Sequence, residues 1–272
     1  MRRRIAVLAS ILPILLLSPA RPAAASPPLP GSIAAIGDSI TRAFDACCWY
    51  GDHPANSWST GGAAWDDVRS HYERILAVKP RIAGRNHNDA VSGAKMSDAI
   101  DQARRAVAQN AKYVTFLMGG NDVCTSSVDT MTPVDEFRSQ LRSALAELES
   151  GLPEGAHVFV ASIPNVYRLW QLFHDDPVAT SVWSTAHICQ SMLSPQNTEA
   201  DRQAVLDREM AFNDVLAQEC SAYADCRFDG DAVFGFDFAR SDVSRLDYFH
   251  PSLSGQASLA RITWAASWWP GV

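Results

Sequence analysis

Residues 32–40 have the sequence SIAAIGDSI. Residues 32–36 form a short, largely apolar run, which predicts a strand buried inside a sheet. Gly37 and Asp38 favour a turn directly after this strand. The turn would hold Ser39 rigidly at the edge of the sheet, where a nucleophile can meet a substrate. Ser39 is therefore a candidate nucleophile, and an ordinary Gly-Asp-Ser turn is the alternative.

The rest of the chain alternates between predicted strands and helices. Further strands are predicted at residues 86–91, 113–118, 158–163 and 227–228, and helices at 64–78, 96–109, 133–148, 199–223 and 252–268. Most of the strands are continuous apolar runs, as in parallel sheets that are covered on both faces. The pattern predicts a three-layer α/β/α sandwich with a mainly parallel central sheet. Residues 47–62 and 171–198 show no periodicity and are predicted to be irregular.

Length and charge limit the classes of protein to consider. The chain has 272 residues, of which 47% are hydrophobic and 19% charged, and its formal net charge is -7. One α/β domain accommodates this length, so a single domain is predicted over residues 32–272, after a proline-rich leader at 26–31. An acidic chain without a basic block is poorly suited to a phosphate backbone. No nucleic-acid partner is therefore predicted, and no feature indicates a protein partner.

Residues 1–25 have the features of a secretory signal peptide. Three arginines at positions 2–4 precede an apolar stretch at 5–17, and three alanines at 23–25 provide a cleavage site of small residues. The apolar stretch is short for a membrane span, which favours cleavage over an uncleaved membrane anchor. The protein is therefore predicted to be secreted and extracellular.

Six cysteines suit an exported protein, because disulfides persist in oxidising compartments. They are Cys47, Cys48, Cys124, Cys189, Cys220 and Cys226. A Cys220–Cys226 bond would close a short loop, and a Cys124–Cys189 bond would join two loops. Bonding between the adjacent Cys47 and Cys48 would be strained, and the connectivity stays open because spacing alone does not determine it. Metal-binding spacings such as C-x-x-C and H-E-x-x-H are absent, so no metal is predicted.

Two other predicted strands end in loops with glycine and polar residues. Residues 92–94 follow one of these strands, and residues 119–122 follow the other. Ligands bind at the carboxyl ends of parallel strands. Gly93 would allow its backbone N–H to approach a ligand closely, and Asn121 could offer a side-chain amide. For each loop a simple turn is the alternative.

An aspartate and a histidine lie three residues apart near the C-terminus, just before a predicted helix. On one loop, the carboxylate of Asp247 could fix the tautomer of His250 and stabilise its protonated form. Asp38 and Asp122 also neighbour candidate residues, but they are interpreted as acceptors of backbone hydrogen bonds. The other six histidines are assigned to the surface or the core.

These residues together resemble the four ordered motifs of the SGNH (GDSL) hydrolase family. The motifs are Gly37-Asp38-Ser39, Gly93, Gly119-x-Asn121-Asp122 and Asp247-x-x-His250. The resemblance extends over about residues 33–267, with Ile40 where the family name has leucine. A looser resemblance to the phospholipase B-like branch is carried by residues 56–59 and 90–94.

The resemblance implies a catalytic role for each candidate residue. Ser39 would attack an ester carbonyl, His250 would be the base, and Asp247 would orient His250. The oxyanion hole would consist of the backbone N–H groups of Ser39 and Gly93 and the side chain of Asn121. No cofactor is implied.

The substrate is less well defined than the reaction. Aromatic residues in the two irregular stretches, or just before the second one, could line an acyl or aryl pocket, or could cover the core edges. They are Trp49, Tyr50, Trp58, Tyr167, Trp170, Phe173 and Trp183. We predict a lipolytic serine esterase, lipase-like or phospholipase-like, with transient contact with a lipid surface. The alternatives are a carbohydrate O-acetyl esterase and a binding module on an inactive hydrolase scaffold.

Overall fold

The structure, a computed structural model, describes residues 26–272. Its central sheet contains β1 (Ile33–Gly37), β2 (Asn86–Asn88), β3 (Tyr113–Leu117), β4 (His157–Val160) and β5 (Cys226–Phe228). Every pairing between neighbouring strands is parallel, and the strand order is β2-β1-β3-β4-β5. The signal peptide predicted at residues 1–25 lies outside the described residues. No helix of residues 26–272 is long and apolar enough to cross a membrane.

Helices cover both faces of the sheet. They are α1 (His71–Val78), α2 (Ala99–Ala108), α3 (Gly120–Val123), α4 (Val134–Gly151), α5 (Val166–Phe173), α6 (Pro177–Thr185), α7 (Gln190–Leu193), α8 (Glu199–Cys220) and α9 (Leu253–Ala266). One core lies between the sheet and the layer of α2, α4 and α8, and the other lies between the sheet and the layer of α1 and α9. The predicted three-layer α/β/α sandwich is confirmed.

Successive strand residues alternate between the two cores. In β3, Val114 and Phe116 face the α2, α4 and α8 layer, whereas Tyr113 and Leu117 face the α1 and α9 layer. Both faces are therefore apolar, which explains why the strand appears in the sequence as a continuous apolar run.

The strand order places a switch point between β1 and β3. From β1 the chain moves outward to β2, and it then returns to the other side of β1 to form β3. Connections leave neighbouring strands in opposite directions at such a point, which opens a crevice at the carboxyl edge of the sheet. The loops after β1 and β3 carry Ser39 and Asn121, so both residues lie at this edge.

Two predictions of local structure were wrong. The helix predicted over 64–78 begins only at His71, because Asp67 and Arg69 adopt left-handed backbone conformations, with φ of 57° and 50°. The stretch predicted to be irregular, 171–198, contains the end of α5 and all of α6 and α7. Asp176 begins α6 by accepting hydrogen bonds from the N–H groups of Val178 and Ala179, a capping signal that the missing periodicity obscured.

The six cysteines lie in three pairs at disulfide distance. The pairs are Cys47–Cys48, Cys124–Cys189 and Cys220–Cys226. The second pair joins the end of α3 to the start of α7, and the third joins the end of α8 to β5. The structure thus selects a connectivity that the spacing of the cysteines had left open.

His71 is the one described histidine that is completely buried in the α1 and α9 layer. Its Nδ1 lies 2.9 Å from the Tyr113 hydroxyl group, and its Nε2 lies 2.8 Å from the Thr263 hydroxyl group. Burial, with a smaller effect from Arg74, lowers the pKa of His71 to about 3. The imidazole is therefore a neutral bridge between the sheet and α9.

We expect His71→Gln to flatten the dependence of stability on acid pH. Below the ordinary histidine pKa of 6.5, the unfolded chain binds a proton at His71 that the native state does not bind until about pH 3. Stability is therefore lost as pH falls through this window, by up to about 1.4 kcal/mol per pH unit. The variant lacks this contribution, and at neutral pH it should be about 1–3 kcal/mol less stable because one hydroxyl group loses its partner.

Denaturant unfolding of both proteins at several pH values between about 4 and 7 tests this expectation. Comparing the variant with the parent cancels the contributions of the other titrating groups. Parallel stability curves for the two proteins would contradict the assignment of His71 as a neutral buried bridge.

Candidate active site

Ser39 lies in the turn that follows β1. A Cβ atom at Gly37 would come within 2.6 Å of the carbonyl oxygen of Leu117 in β3, so only glycine fits at this position. Asp38 Oδ1 accepts a hydrogen bond of 2.9 Å from the N–H of Ile40, which closes the turn as the sequence analysis had expected. Ser39 itself is 8% exposed, and its position is fixed by the backbone on both sides.

Two buried glutamines hold this turn from the helices. Gln102 of α2 accepts a hydrogen bond from the N–H of Gly37 (2.8 Å) and donates one to its carbonyl oxygen (2.9 Å). Gln256 of α9 donates to the carbonyl oxygen of Ile40 (2.8 Å). The sequence analysis missed both glutamines. Each glutamine lies on the otherwise apolar face of its helix. A buried amide there needs hydrogen-bond partners, so a polar residue at these positions could have indicated such a contact.

His250 contacts both Ser39 and Asp247. Its Nε2 lies 2.7 Å from Ser39 Oγ, and its Nδ1 lies 2.5 Å from Asp247 Oδ2. When Nδ1–H donates to the carboxylate, Nε2 is left free to accept the proton of the serine hydroxyl group. The structure thus joins the predicted serine, histidine and aspartate into one chain of hydrogen bonds, although Ser39 and His250 are separated by 211 positions.

The turn at residues 244–250, which we call the C-terminal turn, favours an ionised Asp247. The second carboxylate oxygen, Oδ1, accepts hydrogen bonds from the N–H groups of Phe249 (2.9 Å) and His250 (3.1 Å). Burial raises the pKa of Asp247, but the hydrogen bond and charge of His250 and the two backbone donors outweigh this effect and hold the pKa below its ordinary value. Asp247 is therefore a stable negative charge beside the imidazole.

The predicted oxyanion residues lie on the two neighbouring loops. Val91 N–H donates to the carbonyl oxygen of Gly37 (3.2 Å), which brings the loop with Gly93 beside the Ser39 turn. Asn121 Nδ2 donates to the carbonyl oxygen of Ala94 (3.0 Å) and so contacts the same loop. Across residues 26–272, the backbone N–H groups of Ser39 and Gly93 donate no hydrogen bond. These two donors are therefore available for an anionic oxygen.

Asp122 holds these loops together. Its Oδ2 accepts from the N–H of Met96 (2.9 Å), and its Oδ1 accepts from the hydroxyl group of Thr132 (2.8 Å). Burial raises the pKa values of both Asp122 and Asp38 to about 6, despite these stabilising donors. Neither aspartate bonds to His250, in agreement with their interpretation as backbone acceptors.

An apolar groove extends from His250 along α5. We call it the α5 groove; its apolar lining includes Ile40, Ile163, Val166, Leu169, Leu172 and Phe249. The lining also includes His250, which contacts the candidate nucleophile, and Gly120, which precedes Asn121. The groove therefore provides an apolar surface directly next to the reactive groups.

The predicted aromatic residues do not line this groove. Trp58 and Trp183 are completely buried, whereas Trp49 and Tyr50 are exposed, with 66% and 76% of their surface accessible. The α5 residues that line the groove are Val166, Arg168, Leu169 and Leu172, and the aromatic residues of α5 do not line it. The alternative that such aromatic residues cover the core therefore applies to Trp58 and Trp183.

The remaining histidines play no part in this cluster. His71 is in the core, and His250 is the one histidine that contacts Ser39 or Asp247 through a hydrogen bond in the described chain. Within residues 26–272, no group of three or more histidine, cysteine and acidic side chains is placed to hold a metal ion.

Comparison with known proteins identifies the family. The family described as GDSL-like Lipase/Acylhydrolase matches residues 33–262. The membrane-associated phospholipase B1 of Rattus norvegicus is 24% identical over 219 residues, which are 67% of this chain and 15% of the relative. The acyloxyacyl hydrolase of Mus musculus is 28% identical over 113 residues, or 36% of this chain and 20% of the relative. The aligned regions thus span a fifth or less of these relatives.

Solved structures share the fold. An extracellular lipase from Streptomyces rimosus superposes with a TM-score of 0.52 at 17% identity, covering 87% of this chain and 99% of the lipase. An acetyl xylan esterase from Geobacillus stearothermophilus gives a TM-score of 0.51 at 17% identity, covering 86% and 93%. With the family match over most of its length, the chain belongs to the GDSL-like lipase/acylhydrolase family.

Proposed function

We propose that the protein is a secreted lipolytic esterase that binds the acyl chain of its substrate in the α5 groove. The groove is the observation that carries this proposal, because its largely apolar lining includes His250 and Gly120. A buried methylene group contributes about 0.8 kcal/mol to binding, so this apolar lining favours medium or long acyl chains over acetate. Similarity to a phospholipase and to an acyloxyacyl hydrolase supports the same substrate class.

In the proposed reaction, Ser39 Oγ attacks the ester carbonyl carbon while His250 Nε2 takes the hydroxyl proton. The carbonyl oxygen becomes negatively charged and is bound by the N–H groups of Ser39 and Gly93 and by Asn121. The tetrahedral intermediate expels the alcohol, which takes the proton from His250, and leaves an acyl group on Ser39. Water then attacks this ester with His250 again as the base, and the fatty acid leaves.

Asp247 supports both proton transfers in this proposal. It remains ionised, holds the Nδ1–H tautomer of His250 and stabilises the imidazolium that forms in each half of the reaction. The arrangement needs no cofactor, and the absence of a metal requirement stays a prediction.

Secretion is proposed on two grounds. The three cysteine pairs suit an oxidising compartment, and residues 1–25 have the composition of a signal peptide. Transient contact with a lipid surface accompanies the lipolytic proposal, since a long-chain ester is presented at such a surface.

The second candidate is a carbohydrate O-acetyl esterase. The exposed side chains of Trp49 and Tyr50 favour it, because exposed aromatic rings near a site can stack on sugar rings. Tyr50 packs against Phe44, and Phe44 packs against His250 with ring centroids 4.9 Å apart. The preferred acyl chain length separates this candidate from the lipolytic one.

For the signal-free protein, hydrolysis of p-nitrophenyl esters from acetyl to palmitoyl should be fastest at medium or long chains. Ser39→Ala should lose at least about 10³-fold in kcat for every ester, because the nucleophile is removed. A serine-directed phosphonate should label the parent protein but not this variant. A maximum at acetate with a steep decline would favour the carbohydrate esterase, and a fully active Ser39→Ala would exclude Ser39 as the nucleophile.

Asn121→Ala should reduce kcat by roughly 10²–10³-fold with a small change in KM, because the lost donor acts mainly on the charge of the transition state. Steady-state kinetics on a medium-chain ester measures this split. Thermal unfolding should accompany the kinetics, since Asn121 also bonds to Ala94. A folded variant with the parent kcat would remove Asn121 from the oxyanion hole.

Leu172→Trp should block the α5 groove and shift the preference towards short acyl chains. Leu172 is half-buried and lines the groove, so a larger ring should exclude the distal part of the chain. We expect kcat/KM for long-chain esters to fall about tenfold or more, the contribution of roughly two methylene groups, while acetyl ester hydrolysis stays within about threefold.

The matched control is Val178→Trp, which enlarges an exposed side chain of α6 outside the groove. It should leave the chain-length profile unchanged. Equal losses on acetyl and long-chain esters in Leu172→Trp would show that the groove does not hold the acyl chain.

A further inference from the structure

A second buried carboxyl group, that of Asp45, lies behind the catalytic cluster. Asp45 is completely buried in the loop after β1. Its Oδ1 accepts a hydrogen bond of 2.7 Å from the N–H of Gly51. Its Oδ2 is also buried but has no hydrogen-bond donor within the described part of the chain. A buried carboxylate oxygen without a donor carries a large desolvation cost, so this oxygen requires an explanation.

The Asp45 carboxyl group faces Asp247. The two side chains lie within hydrogen-bonding reach of each other. The surrounding backbone keeps them together, because the hydroxyl group of Ser244 donates to the carbonyl oxygen of Asp45 (2.6 Å). Ser244 N–H in turn donates to the carbonyl oxygen of His250 (2.8 Å). The loop with Asp45 is therefore fastened to the C-terminal turn.

The distribution of donors decides which carboxyl group holds a proton. Asp247 receives three hydrogen bonds, from His250 Nδ1 and from two backbone N–H groups, whereas Asp45 receives one from Gly51. Two carboxyl groups in contact in a buried site do not both ionise readily. The negative charge therefore belongs on Asp247, and the proton belongs on Asp45.

We propose that Asp45 is a positioning residue, a neutral carboxylic acid whose Oδ2–H donates a hydrogen bond to the ionised carboxylate of Asp247. This inference rests on the proposed roles of Ser39, His250 and Asp247. The bond would satisfy the orphaned Oδ2 atom, fix the carboxylate that orients His250, and moderate its negative charge. Asp45 would thus influence the pH at which His250 becomes an effective base.

The electrostatic environment of Asp45 supports this proton. Burial raises the pKa of Asp45, the N–H of Gly51 lowers it, and the negative charge of Asp247 raises it again, with a smaller opposing effect from His250. Asp38 faces His250 from the turn after β1. Arg240 and Arg245 border the surface hollow beside Asp45, and Arg240 is paired with Asp175.

Asp45→Asn tests the proposal because the amide keeps the shape and supplies a permanent donor in place of Oδ2–H. Asparagine also tolerates the left-handed backbone at this position, where φ is 55°. The acid limb of the pH profile of kcat/KM reports protonation of the base in the free enzyme. We expect this limb to stay within about 0.3 pH units of the parent and kcat within about threefold. A shift to lower pH by about one unit would mean that a negative charge had been removed, and would overturn the proposal.

Asp45→Gly removes the donor and suits the same left-handed backbone. Asp247 then faces His250 with its full charge and stabilises the imidazolium more strongly. The acid limb should move to higher pH, and kcat should fall roughly tenfold or more, as expected for the loss of a hydrogen bond to a charged group. A glycine variant with the parent profile and kcat would also overturn the proposal, whatever the asparagine variant does.

Asp231→Asn is the matched control, an exposed aspartate with a φ of 62° on the loop after β5. Its pH profile should equal that of the parent, and thermal unfolding of each variant separates loss of fold from loss of the donor. Failure of the underlying mechanism has a different signature, because Ser39→Ala would then remain active. An enzyme that depends on Ser39 but whose acid limb moves in Asp45→Asn contradicts the Asp45 inference alone.

Discussion

The close packing of Gly37 against β3 is the constraint on which the rest of the site depends. No side chain fits at this position, because the carbonyl oxygen of Leu117 occupies the space. Gln102 bonds to the N–H and the carbonyl oxygen of Gly37, and Gln256 donates to the carbonyl oxygen of Ile40. The turn between them is thus held from both helical layers, so Ser39 is positioned by the sheet and not by a free loop.

The other half of the site comes from the opposite end of the chain. Hydrogen bonds to backbone carbonyl groups fasten it to the loop that follows this turn. Ser244 bonds to Asp45, and the N–H of Leu253 bonds to the carbonyl oxygen of Ala46. These contacts join residues separated by about 200 positions. Because such long-range contacts form late in folding, the reactive arrangement depends on a completed sandwich. Asp45 lies where the two halves meet, so the proton proposed for its carboxyl group would act on both.

Much of the fold and most of the site could be predicted from local patterns. The apolar strands and the motifs around Ser39, Gly93, Asn121 and His250 are short, contiguous signals. The late start of α1 depends on left-handed residues at 67 and 69, and arginine rarely adopts this conformation. The α5 groove depends on which side of one helix faces His250, and that is a tertiary property. No sequence pattern singled out Asp45, because its proposed role depends on Asp247, which lies 202 positions further along the chain.

Part of the wall of the α5 groove comes from a segment that holds none of the candidate reactive groups. This segment lies between β4 and α8, contributes lining residues from Ile163 to Leu172, and is fastened to the end of α3 by the Cys124–Cys189 pair. The serine, histidine, aspartate and oxyanion candidates all lie outside that segment. Under the proposed function, this segment can change in sequence and length during evolution, and with it the preferred acyl group, while the loops with the candidate reactive groups are retained. The same separation makes residues 164–193 a natural unit to exchange when an esterase of this architecture is engineered for a different acyl group.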